Sequence, residues 1–118
     1  MAGDEARVAE LLASDPSLAQ RAAARDPARI THAAELGRLD AIRLLVRIGF
    51  DVNVKERVTP LHQAAYNGDR AMVELLLGMG ADPTIRDAEF DATPAGWAGH
   101  ANHTELAVHL AALEQGGE

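Results

Sequence analysis

The chain of 118 residues contains no cysteine, and this absence limits both its chemistry and its means of stabilisation. Without thiols it has no disulfide framework, no thiolate metal cluster and no cysteine nucleophile. A chain of this length is expected to form one domain that buries about two-thirds of its unfolded surface, so it needs no covalent staple. The composition fits a reducing compartment, and we expect a cytoplasmic protein without a redox role.

Positive charge and aromatic side chains are also scarce. The formal net charge is -7, and Lys55 is the only lysine among eleven basic residues. Because binding to the phosphates of a nucleic acid requires a basic surface, we expect no nucleic-acid partner. The preference for arginine and the abundance of alanine predict a gene from a GC-rich bacterial genome. Aromatic residues make up 3% of the chain, which makes each exposed aromatic side chain a candidate for binding.

Long apolar runs are missing as well. No stretch approaches the roughly 20 apolar residues that cross a bilayer. Residues 1–5 lack the basic and then apolar layout of a signal peptide. We therefore expect a soluble protein that has no membrane partner.

One segment shows the organisation of the chain most clearly. Thr59 is suited to cap a helix that starts at Pro60, and Gly68 is suited to end that helix in a left-handed conformation. Asp69 is suited to cap a second helix, whose apolar residues recur at helical spacing until Gly80. Parts of this unit recur before and after it, so the sequence predicts repeated pairs of helices.

The motif of this unit, Thr59-Pro60-Leu61-His62-x-Ala64, resembles the signature of ankyrin repeats, whose period is about 33 residues. The resemblance implies an all-α ankyrin-repeat solenoid of stacked antiparallel helix pairs, joined by turns and finger loops. It also implies that His62 binds the hydroxyl of Thr59 and a neighbouring repeat. We predict a single domain over 1–118, with a partial N-terminal repeat at 1–25, repeats at 26–56 and 57–87, and a C-terminal capping repeat at 88–118.

The flanking units depart from this motif. Within the segment at 1–25, residues 3–12 align with the second helix of a repeat, which predicts an N-terminal cap or the cut edge of a longer array. Asp26 and Pro27 are predicted to be the cap and the first residue of the next helix. In the last unit Gly96 replaces the motif histidine, and Trp97 has room to fill the space beside this glycine. The final helix is thinner and more polar, as a capping repeat requires.

No pattern in the chain indicates catalysis or a cofactor. It contains no phosphate-binding glycine-rich loop, and no serine lies in a nucleophile elbow. His100 and His103 are spaced so that they share a helix face, as two metal ligands would. The resemblance, however, implies that His103 lies at the start of a second helix, where ankyrin repeats often carry histidine, and that His100 lies at a surface position. We therefore expect no enzyme, no cofactor and no metal site.

The resemblance implies a protein-interaction module that binds its partner through the concave face and the finger loops. The variable positions lie just before the residue that ends each first helix and at the tips of the fingers. The residues predicted to bind a partner are Glu35, Leu36, Lys55, Arg57, Tyr66, Asn67, Arg86, Glu89, Phe90, Trp97 and His100. Tyr66 and Phe90 are not expected to be needed for helix packing. Phe90 has the acidic neighbours Asp87, Glu89 and Asp91, which favour a basic or neutral partner.

Three interpretations of the module stay open. In the leading one it is a monomer that binds another protein and has no catalytic activity. In the alternative it is a targeting or regulatory ankyrin segment of a larger enzyme or toxin whose catalytic part is absent from this chain. A start on a second helix favours the alternative. In the third interpretation it is a capped scaffold that associates with itself.

Overall fold

The computed structural model describes residues 25–55 and 57–115, and in this part of the chain every regular element is an α-helix. The predicted partial repeat at 1–25 lies outside the described residues, apart from Arg25. The helices are α1 Arg29–Glu35, α2 Leu39–Arg47, α3 Pro60–Asn67, α4 Arg70–Gly78, α5 Pro94–His100 and α6 Thr104–Gln115.

These helices form pairs that stack side by side. The first helices of the pairs pack in series, α1 against α3 and α3 against α5. Each first helix also packs against the second helix that follows it, which pairs α1 with α2, α3 with α4 and α5 with α6. The predicted all-α solenoid is therefore confirmed. No helix in the described part of the chain has the length and apolar character to cross a lipid bilayer.

The core combines small residues on the first helices with larger ones on the second helices. Its buried apolar residues within the helices are Ile30, Ala33, Ala34, Ile42, Leu45, Leu61, Ala64, Ala65, Met72, Val73, Leu76, Ala95, Ala98, Leu106 and Leu110. An alanine occupies little volume, so α1, α3 and α5 can lie close together. The second helices supply most of the bulk that fills the interior.

Helix α3 shows how the local sequence determines a helix. The side chain of Thr59 accepts a hydrogen bond from the backbone N–H of His62, and Pro60 occupies the first helical position, where no N–H is needed. At the other end Gly68 has a φ of +68°, as predicted. In the last pair α5 ends at His100 with Ala101 as its C-cap, and the left-handed residue that follows is Asn102, with a φ of +67°. Asparagine tolerates this conformation better than most residues with a side chain.

The start of α1 differs from the prediction. The sequence predicts a cap at Asp26 and a first helical residue at Pro27, but the N-cap is Ala28 and α1 begins at Arg29. Ala28 has no side-chain oxygen, and Asp26 instead accepts a hydrogen bond from the Arg29 side chain at 3.4 Å. Ala28 lies as many residues before the buried alanine pair of α1 as Thr59 lies before the buried alanine pair of α3. The packing of α1 against α3 therefore sets the start of the helix, and the local cap signal does not.

The turns after α2 and α4 are joined through Asn53. Its side chain donates to the carbonyl of Gly80 at 3.0 Å and accepts from the N–H of Asp82 at 2.7 Å. Asp51 and Asp82 each accept from the backbone N–H two residues further on, as aspartates in turns often do. Each turn thereby positions the next one along the stack.

Candidate partner-binding surface

His62 joins α3 to the loop that precedes α5. Its Nδ1 accepts from the backbone N–H of Thr59 at 3.1 Å and lies 2.8 Å from Thr59 Oγ1. Since Nδ1 is an acceptor, Nε2 carries the proton and donates to the carbonyl of Ala92 at 2.9 Å. Burial lowers the pKa of His62, which keeps the ring neutral. The predicted bridge from this histidine to Thr59 and to the neighbouring helix pair is confirmed.

Asp87 organises the same loop. Its Oδ2 accepts from the backbone N–H of Glu89 at 3.0 Å and of Phe90 at 2.7 Å. Its Oδ1 accepts from the N–H of Ala92 at 2.8 Å and from Nε1–H of Trp97 at 3.0 Å. The residue is only 3% exposed. Burial alone would raise the pKa of Asp87, but the four hydrogen bonds together outweigh burial and hold the pKa well below its usual range, so the carboxylate stays charged.

The acidic surroundings of the finger differ from the prediction. Asp87 was expected to be one of three acidic residues around the finger aromatic, but its carboxylate points inward and is buried. The other two are exposed and lie in ion pairs. Glu89 Oε1 is 2.6 Å from Arg57 Nη2, and Asp91 Oδ2 is 3.6 Å from Arg86 Nη1. A sequence signal for Asp87 did exist, because an aspartate in a turn often accepts from the N–H two residues further on.

Trp97 stands at the centre of an aromatic cluster. Its ring makes edge contacts with the rings of His62, Tyr66 and Phe90, at centroid distances of 5.5, 5.9 and 6.3 Å. The tryptophan is half-buried, whereas Tyr66 is 48% exposed and Phe90 is 72% exposed. The structure thus brings Tyr66, Phe90 and Trp97 together, three of the residues predicted to bind a partner, which their separation in the sequence did not indicate.

These side chains border a groove of about 520 Å³. Its lining residues are Tyr66, Phe90, Ala92, Gly96, Trp97 and His100, and we call it the aromatic groove. Four of the predicted binding residues meet there. Gly96 occupies the place of the motif histidine, and a Cβ at this position would lie 3.3 Å from the Cβ of Ala92. The missing side chain at Gly96 therefore helps to keep the groove open.

A second groove, of about 290 Å³, shares Trp97 with the first. Its lining residues are Ala28, Thr31, Arg57, Val58, Gln63, Glu89 and Trp97, and we call it the finger groove. The ion pair between Arg57 and Glu89 connects two loops across this groove. The Oγ1 atom of Thr31 is buried and has no hydrogen-bond partner within the described residues. The sequence did not single out Thr31, and no motif around it marks this position.

The remaining predicted residues do not line either groove. They are Glu35, Leu36, Lys55, Asn67 and Arg86. Leu36 is 58% exposed, and Lys55 is also exposed. The Asn67 side chain donates to the carbonyl of Glu35 at 2.8 Å, so it links α3 to α1. Their role in partner binding stays a prediction.

The other histidines near this face also contact neighbouring elements. His103 Nε2 lies 3.0 Å from the carbonyl oxygen of Tyr66, and His109 Nε2 lies 2.9 Å from Glu74 Oε1. His100 lines the aromatic groove. Over residues 25–55 and 57–115, no three His, Asp or Glu side chains are grouped so that they could hold a metal ion.

Comparisons with known proteins agree with this architecture. The family model for ankyrin repeats in three copies matches residues 1–87. The chain is 34% identical over 111 residues to the palmitoyltransferase Hip14 of Drosophila melanogaster, which covers 92% of this chain and 17% of that protein. It is 36% identical over 120 residues to the probable E3 ubiquitin-protein ligase XBOS31 of Oryza sativa subsp. japonica, which covers 97% of this chain and 27% of that protein. It is also 37% identical over 70 residues to a putative ankyrin repeat protein of Acanthamoeba polyphaga mimivirus, which covers 58% of this chain and 10% of that protein.

The chain spans less than a third of the length of each of these relatives. They come from a fly, a plant and a virus, so they give no support to a bacterial origin, which stays a prediction. The stacked helix pairs, the histidine bridge and the family model that matches residues 1–87 lead to one conclusion. The chain belongs to the ankyrin-repeat family.

Proposed function

We propose that this chain is a protein-interaction module and that its partner binds in the aromatic groove. One observation carries the proposal. The chain has four Phe, Trp and Tyr residues, and three of them line this groove, where Tyr66 is 48% and Phe90 is 72% exposed. Exposed aromatic side chains contribute strongly to protein interfaces, since they bury a large area at a small cost in conformational entropy. Ankyrin repeats in general bind other proteins, which supports the same function.

The other predicted residues frame this groove in the proposal. His100 contacts the partner from inside the groove. The residues proposed to contact it at the periphery of the interface are Glu35, Leu36, Lys55, Arg57, Asn67, Arg86 and Glu89. Charged residues at the rim of an interface affect the rate of association and the choice of partner more than the final affinity. We also propose that 1–118 is one domain with the four units predicted above, a cytoplasmic monomer without catalytic activity of its own.

A second function is supported by the relatives. Two of them are named as a palmitoyltransferase and a probable E3 ubiquitin-protein ligase, and this chain covers 17% and 27% of their lengths. In this alternative the module is a targeting or regulatory segment of a larger enzyme, and the catalytic part lies elsewhere. The mass of the native gene product distinguishes the two functions. A product near 12.5 kDa, the mass of this chain, supports the independent module, and a much larger one supports the alternative.

Affinity capture from a cell lysate tests the binding site. The comparison uses the wild type, a Tyr66→Ala/Phe90→Ala variant and a Val108→Ala control. Val108 is 66% exposed on α6 and does not line either groove, so its replacement removes exposed apolar surface away from the candidate site. We expect a protein that the wild type and the control both capture and that the double variant does not. Equal capture by all three would place the contact surface elsewhere.

The same variants separate a loss of binding from a loss of folding. Substitutions of exposed residues usually change the free energy of unfolding by about 0.5 kcal/mol or less. Since Tyr66 and Phe90 contact Trp97, we allow about 1 kcal/mol for each ring contact that is removed. Melting curves should therefore show a folded double variant. If it is unfolded, the two rings belong to the core and not to a binding surface.

A further inference from the structure

We propose that the aromatic groove binds an organic cation on the partner polypeptide, the side chain of a lysine or arginine residue. This inference rests on the proposed function, because it names the chemistry that the binding site recognises. It follows from the exposure of the rings, from the charge behind Trp97 and from the hydrogen-bonding groups that the loop has already used.

The ring faces provide the first argument. The plane of Trp97 is inclined at 72° to that of Tyr66 and at 65° to that of Phe90. Tyr66 and Phe90 both line the groove and are 48% and 72% exposed, so part of each ring face is open to a molecule that binds there. The face of an aromatic ring carries partial negative charge and attracts a cation placed over it.

Asp87 provides the second argument. Its ionised carboxylate accepts from the indole N–H of Trp97 at 3.0 Å, and the residue is 3% exposed. A hydrogen bond to an anion increases the electron density of the indole, and a buried charge is screened little by solvent and salt. The faces of the indole are therefore more negative than those of an unpaired tryptophan.

The charges around the groove favour the same occupant. The finger that carries Phe90 also carries Glu89 and Asp91, and the arginines nearest to them, Arg57 and Arg86, are held in ion pairs with these two carboxylates. The chain as a whole has a formal net charge of -7. Within these pairs the opposite charges offset each other, so it is the negative net charge of the whole chain that attracts a basic partner and repels an acidic one.

The hydrogen-bond acceptors behind the groove are already in use. The carbonyl of Ala92 accepts from the N–H of Asp87 at 2.9 Å and from His62 Nε2 at 2.9 Å, and each oxygen of Asp87 accepts two hydrogen bonds. Neither of these groups therefore offers a bound ammonium group a new acceptor, whereas the faces of the aromatic rings attract the charge itself. Since methyl groups remove N–H donors and keep the charge, trimethylation of a lysine should not weaken its binding.

The fluorescence of the protein reports directly on this groove, because Trp97 is the only tryptophan in the chain. The probes are choline and its uncharged isostere 3,3-dimethylbutan-1-ol, which differ mainly in the central atom. Blocked tripeptides with Lys, trimethyllysine, Arg or the neutral norleucine at the central position form the second set. Titrations at pH 8 avoid the usual titration range of histidine. We expect choline and the cationic peptides to shift the emission of Trp97 at lower concentrations than their neutral counterparts, and added salt to weaken only the cations.

A Phe90→Leu variant separates attraction to the π face from hydrophobic contact, because leucine keeps apolar surface but has no ring. Affinity for choline and the lysine peptide should fall by about 2- to 30-fold, the range that a cation–π contact provides. Affinity for 3,3-dimethylbutan-1-ol should stay within about twofold, and the Val108→Ala control should match the wild type for every probe. Equal binding of charged and neutral probes, or a tighter neutral one, would overturn the inference. Tighter binding of the lysine peptide than of the trimethyllysine peptide would also overturn the inference. It would show that the groove recognises the N–H donors of the ammonium group, whereas the proposed contact with π faces needs only its charge.

The two proposals can fail separately. If the aromatic variants lose a captured protein but the probes show no preference for charge, the groove binds a partner by other chemistry and only the cation inference is wrong. If the probes show the preference but capture is unchanged in the double variant, the groove binds cations and the proposed function of this surface is wrong.

Discussion

Replacement of Asp87 by asparagine should be among the most damaging single changes on this face of the protein. Asparagine has the shape of aspartate but only one oxygen, so its NH₂ group must face one of the two pairs of donors. Either the N–H groups of Glu89 and Phe90 or those of Ala92 and Trp97 lose their acceptor. A hydrogen bond to a charged group contributes about 1.5 to 3 kcal/mol, so the loss of two should reduce the free energy of unfolding by roughly 3 to 6 kcal/mol.

The matched control is Asp91→Asn in the same loop. Asp91 has a φ of +53°, which asparagine tolerates, and its carboxylate is exposed and 3.6 Å from Arg86. Exposed ion pairs contribute about 0 to 1 kcal/mol, so this variant should be close to the wild type. Urea denaturation followed by the fluorescence of Trp97 measures both variants. If Asp87→Asn costs no more than Asp91→Asn, Asp87 does not organise the loop and the hydrogen-bond argument fails.

The pH dependence gives an independent measurement on Asp87. Its pKa in the folded protein lies below the ordinary value of 3.8, so the unfolded chain takes up the proton first as the pH falls. The stability that Asp87 provides is therefore present above about pH 4 and is lost as the pH falls through the folded pKa. Asparagine does not titrate in this range. The difference in stability between the wild type and Asp87→Asn should thus narrow between about pH 5 and pH 2, and a constant difference would contradict an ionised Asp87 in the folded state.

The other predictions concern the helix ends and metal ions. Thr59→Ala removes the cap of α3 and the partner of the histidine bridge and should cost about 1 to 2 kcal/mol. Thr93→Ala should cost less, because its hydroxyl makes no capping bond and has no histidine partner, and it loses only a hydrogen bond to Glu114 at 2.9 Å. Chemical denaturation of both variants measures these costs, and the reverse order would contradict the bridge. Gly68→Ala should destabilise the protein, since a Cβ there would lie 2.5 Å from the ring of His103 and the residue has a φ of +68°. Gly78→Ala should stabilise it by up to about 1 kcal/mol, because a Cβ at this helical glycine meets open space. A higher melting temperature for Gly68→Ala than for Gly78→Ala would contradict the packing at the turn of Gly68. The melting temperature should not respond to a chelator, and a decrease of several degrees would indicate a bound metal.

Much of the fold could be predicted because one unit carries its signals at the right spacing. Thr59, Pro60 and Gly68 act locally at the ends of α3, and the bridge from His62 follows from the family motif. The start of α1 could not be predicted in the same way. Asp26 offers a good local cap. Burial of the alanines that face α3, however, places the start of α1 two residues later than Asp26 and the proline after it predict.

The candidate site was harder to predict, because its parts are distant in the sequence. Tyr66, Phe90 and Trp97 were each indicated as rare aromatic residues, but nothing in the sequence shows that three rings on separate elements share one groove. Asp87 was interpreted as a surface charge, since in composition alone it is one of several acidic residues in a loop. Only the folded loop shows that its carboxylate faces four N–H donors.

Trp97 forms a common wall of the aromatic groove and the finger groove. A rotation of its indole changes the shape of both grooves, so contacts that a partner makes with Trp97 in one groove change the space available in its neighbour. Such coupling is reciprocal, because binding in either groove changes the free energy of binding in the other by the same amount. The bond from the indole N–H to Asp87 resists this rotation. Its strength therefore determines whether the two grooves respond to a partner independently or as one surface.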